Sequence, residues 1–242
     1  MGLPKSKETL AIKAGLSVLT ITRLIRLPVE PDLKSIVETT GTNNLPEKWD
    51  DFLLVAMKNF QRRFNRGTYW KEFHYSTKMG PNGQAMYTSY IDLKYLPQEL
   101  IDDLGVLGGS SVTRTIELIK SVPSEDDVSP LWIDFVLKKY PSKKDKGIIR
   151  RLAYLSDKEG KTRIVGLCDY WSQTVLKPLH DTINRILHKY PEDMTFRQNE
   201  PAKHLPKGYY ASYDLKNATD SFPVYLQESV LKHLIGNKRA EA

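Results

Sequence analysis

The chain has 242 residues, 40% of them apolar, with Cys168 as its single cysteine. That is enough apolar material for a packed core, one cysteine rules out an intramolecular disulfide, and no run of 18 apolar residues points to a membrane span. The net charge of +7 is local: from Lys138 to Arg163 ten Lys and Arg stand against three Asp and Glu, and the other residues balance at 26 of each. Such an excess draws phosphate-rich partners through its field, although solvated linkers commonly have the same composition.

At the N-terminus, Met1-Gly2-Leu3-Pro4-Lys5-Ser6 fits a loose myristoylation pattern into which Pro4 intrudes. Residues 9–29 carry Lys13, Arg23 and Arg26 with no acid, which fits a mitochondrial presequence faintly and an ordinary core helix equally well. Pro46 precedes Trp49, Phe52, Leu53, Met57 and Phe60 at helical spacing. Thr68 to Tyr75 is aromatic and alternates weakly, as a strand would. Gly80-Pro81-Asn82-Gly83 is a turn, and helices are expected at 97–104, 111–121 and 129–139.

Composition shifts near Pro141, which sets expected regions of 1–140 and 141–242. Ile148 to Leu155 and Thr162 to Leu167 read as two strands joined by Asp157-Lys158-Glu159-Gly160. A long helix follows from about Asp169 to Tyr190, with Val175, Leu176, Leu179, Ile183, Ile186 and Leu187 on one face and a kink expected at Pro178. Gly208 to Tyr213 is a short β-prone run ended by Asp214, and a helix covers about Pro223 to Ile235. The expected class is α+β.

Two constellations bear on chemistry. Lys161 and Arg163 alternate onto one face of the second strand, behind Arg150 and Arg151 on the first. Paired cations on a stiff scaffold suit a triphosphate, and they suit equally the wet face of a half-buried strand. Asp214 closes a strand, where a carboxylate is held well enough to fix a metal ion, and Asp220 lies past the turn. Capping is the alternative, and on spacing alone the stronger one: Asp and Thr are favoured N-caps and Pro223 suits a first turn. His74, His180, His188, His204 and His233 have no metal-ligand spacing, and no Walker loop, nucleophile elbow or dinucleotide fingerprint occurs.

The ordered blocks Lys78-Met79-Gly80-Pro81-Asn82-Gly83, Gly160 to Val165, Asp169 to Asp181, Thr195 to Gln198 and Asp214 to Asp220 resemble mitovirus RNA-dependent RNA polymerases. The resemblance covers about residue 75 to the C-terminus, and the Asp169–Asp181 string is its most specific part. It implies a right-hand polymerase of fingers, palm and thumb that works on an RNA template with nucleoside triphosphates in mitochondria. It gives Lys161 and Arg163 the role of gripping the incoming triphosphate. Asp214 becomes the first palm aspartate, a catalytic Mg²⁺ ligand, and Asp220 the sensor of the ribose 2′-hydroxyl. Ser221 stands where many relatives have Arg. The Gly-rich palm element, the Gly-Asp-Asp turn and the thumb are absent from these residues, so a truncation after the first palm motif is expected. Such a truncation would leave the isolated chain inactive, which is the expectation. The source is then a partial replicase or a copy captured in a plant mitochondrial genome. A non-catalytic basic RNA-binding remnant and a decayed mitochondrial reading frame are the other readings.

Overall fold

A computed structural model describes residues 5–24, 30–37, 48–61, 73–121, 148–157, 162–191, 193–198, 208–209, 211, 213, 219 and 222–242. The described elements are helices plus a two-stranded antiparallel sheet, an α+β chain. They fall into two compact units, one of residues 1–34 and 150–167, the other of residues 35–149 and 168–242.

The first unit holds helix α1 (Lys5–Leu24), strand β1 (Arg150–Ser156) and all but the last residue of strand β2 (Thr162–Cys168). Ser17 and Thr20 in α1 return their hydroxyls to the carbonyls of Lys13 and Leu16, the usual way a mid-helix hydroxyl avoids competing with the backbone ladder. Leu10, Leu16 and Leu19 remain more than half exposed. The strands form the expected hairpin, because seven-residue β-prone runs flank the predicted turn.

The second unit is helical. Short α2 (Lys34–Val37), all but its first residue, and amphipathic α3 (Trp49–Gln61) come first. After them come α4 (Ser89–Tyr95), α5 (Gln98–Gly108), α6 (Ser110–Ser121), α7 (Tyr170–Leu187), α8 (Val224–Ile235) and α9 (Asn237–Glu241). Phe73 to Tyr75, the described end of the run read as a strand, are not in one. The helix expected at 129–139 and the boundary at 140 lie outside the described residues.

Two cores form, and α7 serves both. Its first half puts Tyr170, Trp171 and Val175 against Leu93, Leu96, Ile101, Leu104, Val112 and Ile116. Its second half puts Leu179, Ile183 and Ile186 against Met57, Leu234 and Ile235. The i, i+4 rows Trp171–Val175 and Thr182–Ile186 produce this stripe, and the helix runs through Pro178 without a break. Helices α5 and α6 fold onto each other across Gly109, whose φ of 76° is a left-handed conformation that glycine takes at little cost. Gly108 is required for closeness: a Cβ there would stand 2.5 Å from Val112 Cγ2 and 3.0 Å from Val175 Cγ1. No helix among the described residues is long and apolar enough to cross a membrane.

Candidate functional site

The turn at residues 79–84 is closed by an antiparallel bridge between Met79 and Gln84 and by the Gly80 N–H, which donates to the Gly83 carbonyl at 2.6 Å. A Cβ added at Gly80 would stand 3.4 Å from the Ala85 Cα, in ordinary contact. This tight loop turns Asn82 inward, where only 2% of it is exposed. Its amide nitrogen donates twice, to Asp92 Oδ1 at 2.7 Å and to the Ile148 carbonyl at 3.1 Å.

Asp92 comes from α4 and is fully buried. Its other oxygen, Oδ2, accepts the Tyr170 N–H at 2.9 Å. Asp169 caps the same helix end by accepting the Ser172 N–H at 2.7 Å. Two of the donors that every helix N-terminus leaves open are thereby filled by carboxylates, with favourable dipole sign. Trp171 adds a third tie: its indole N–H donates to the Ser89 carbonyl at 2.9 Å.

Burial pushes the Asp92 carboxyl up from 3.8 to about 6. Desolvation outweighs the hydrogen bonds from the Tyr170 amide and Asn82, and repulsion from Asp169 adds to it. Asn82 Oδ1 and Asp169 Oδ2 are also buried and accept no hydrogen bond from the described residues, so acceptors outnumber donors in this node.

The fourth block, Thr195 to Gln198, folds back on the end of α7. The Arg197 guanidinium donates to the carbonyls of Tyr190 at 2.7 Å and Asp193 at 3.0 Å. Asp193 accepts from the Thr195 hydroxyl and amide, which hold its carboxyl below the usual range.

Among the expected site residues only Arg163 is described. It sits on β2, exposed, and ion-pairs with Asp157 at the start of the connection between the strands. That hydrogen bond raises the Arg163 pKa further, so the guanidinium is a permanent cation with a carboxylate competing for it. Arg150 is exposed at the start of β1. Lys161, Asp214 and Asp220 lie outside the described residues. Among the described residues no group of three or more His, Cys, Asp or Glu stands close enough to hold a metal ion.

Asp92 carried no expected role, and Asn82 only membership of a turn and of the Lys78–Gly83 block. The sequence signal is slight: Asp92 stands between Ile91 and Leu93 and four positions before Leu96, and the structure buries the whole Thr88–Asp92–Leu96 row. A buried acid requires donors, and here Asn82 and the Tyr170 amide supply one each.

Comparison with known families matches residues 68–242 to the family described as Mitovirus RNA-dependent RNA polymerase. The RNA-directed RNA polymerase of Cryphonectria parasitica mitovirus 1 (strain American chestnut tree/New Jersey/NB631) is 33% identical over 96 residues, which is 37% of this chain and 12% of that relative. The aligned stretch is therefore a small part of the relative's length. No solved structure matches.

Proposed function

The chain belongs to the mitovirus RNA-dependent RNA polymerase family, and from that membership we propose that it forms the N-terminal and fingers portion of a template-directed RNA polymerase. Residues 1–140 form a helical region, and residues 141–242 carry the basic hairpin, the long helix and the start of the palm. The observation that carries this reading is the span of the match. It runs unbroken over the Lys78–Gly83 turn, the hairpin, α7 and the Asp214–Asp220 element.

In this reading Lys161 and Arg163 bind phosphates of an incoming nucleoside triphosphate or of RNA. A two-stranded scaffold with exposed cations at Arg150 and Arg163 favours this, since phosphate binding needs charge held in place. Asp220 reads the ribose hydroxyl. Asp214 would hold a divalent cation, Mg²⁺ by family, which in such enzymes neutralises charge on the reacting phosphoryl group. A mitochondrial setting follows from the same family.

The 242-residue chain by itself binds RNA and does not extend it, because Asp214 is its single match to a metal-binding palm aspartate. Two measurements test this. Binding of a single-stranded RNA should weaken as salt rises, and the reversal Lys161→Glu/Arg163→Glu should make the log–log slope shallower by about 1.4, at about 0.7 for each phosphate no longer neutralised. An unchanged slope and affinity refute the basic site. Mg²⁺-dependent primer extension by the isolated chain, abolished by Asp214→Ala, would refute its silence in synthesis.

A further inference from the structure

We propose that Asn82 and Asp92 are positioning residues that clamp both ends of the basic hairpin at one buried node. The inference rests on the reading of that hairpin as the phosphate-binding element, and it adds residues outside it.

The chain leaves the helical unit after Ile149 and re-enters it at Cys168. Ile148, two positions before β1, gives its carbonyl to Asn82 Nδ2 at 3.1 Å. Tyr170, two positions after β2, gives its N–H to Asp92 Oδ2 at 2.9 Å. The Asn82–Asp92 bond of 2.7 Å joins the two attachments. Two side chains thus tie together backbone groups 22 positions apart, 148 and 170.

The residue types suit this task. One Asn nitrogen carries two hydrogens, one for a carboxylate and one for a carbonyl, and one carboxylate carries two separate acceptors. Asn82 is anchored by its Gly-flanked turn and Asp92 by α4, so neither needs to be ordered when the clamp closes. Asn82 is 2% exposed and Asp92 is 0% exposed, which leaves water little access to replace either bond. An isolated two-stranded hairpin is at best marginally stable, so its stem benefits from outside support. Cations on a strand already ordered bind phosphate with less ordering cost.

The test is peptide-resolved hydrogen exchange on the full chain, with binding of a single-stranded RNA oligonucleotide measured alongside. Asp92→Asn and Asn82→Ala should each speed exchange of the stem amides, residues 148–157 and 162–171, about tenfold, while α5 and α6 stay protected. RNA affinity should fall about threefold to tenfold with the salt slope unchanged, since no cation is removed. The exchanged pair Asn82→Asp/Asp92→Asn moves the amide donor to α4. It restores the bond between the two side chains and an acceptor for Tyr170, but offers nothing to the Ile148 carbonyl. Protection should therefore return near Tyr170 and not near Ile148.

Stem exchange equal to wild type in both single variants overturns the clamp. So does loss of protection in α5 and α6 equal to that in the stem, because the node would then support the core and nothing more specific. A wild-type chain that binds no RNA, while stem exchange responds as stated, sinks the phosphate reading and leaves the clamp in place.

Discussion

Acidification should stabilise the fold through Asp92. Its carboxyl lies at 3.8 when unfolded and at about 6 in the buried node. A raised folded pKa means that the native state binds the proton more tightly than the unfolded chain. The contribution of this group is therefore full below 3.8 and is lost as pH rises through about 6. The whole shift corresponds to about 3 kcal/mol, and the part gained between pH 7.5 and pH 5 is about 1.4 kcal/mol. Other groups oppose it. Asp181, held below its usual value chiefly by the hydrogen bond from the Lys177 ammonium, and Asp193, held down by Thr195, lose stability as pH falls. The comparison that isolates Asp92 is urea unfolding of wild type and Asp92→Asn at both pH values. The wild type should gain on the variant by about 1.4 kcal/mol at pH 5 relative to pH 7.5. A pH-independent difference, or one of opposite sign, would show that Asp92 is solvated or paired with a cation, and the description of the node would be wrong.

Further expectations concern packing and the hairpin. Gly108→Ala should destabilise by about 1–3 kcal/mol in denaturant melts, since its methyl group meets Val112 and Val175 at the α5–α6 crossing. Trp171→Phe should cost about 2 kcal/mol by the same assay, because it leaves the Ser89 carbonyl without its indole donor and trims a residue only 2% exposed. Asp157→Asn should strengthen binding of single-stranded RNA by about twofold to fivefold at low salt, by releasing Arg163 from its competing carboxylate. Unaltered affinity there would mean that Arg163 does not meet phosphate.

Local chemistry fixed much of this fold in advance. Helical spacing placed α6, α7 and α8 close to their observed limits, ended α5 four residues early and left α4 unread, and the Asp157–Gly160 break located the hairpin. The ordered blocks identified the family, because such strings constrain ancestry more tightly than composition does. What periodicity left open was the partner of each buried polar group. Asp92 lies 78 positions from Tyr170, and Asn82 lies 66 from Ile148. Nothing in the local pattern at either end names the other. Packing of α4 against the start of α7 and against the Asn82 turn excludes water from Asp92, and that exclusion turns an ordinary surface-type acid into one with a raised pKa and fixed donors. The same holds at Gly108, which reads in the sequence as half of a glycine turn and in the fold as the place where three helices come too close for a methyl group. Propensity and pattern act over a few neighbouring residues, whereas desolvation and close approach depend on everything folded around a group.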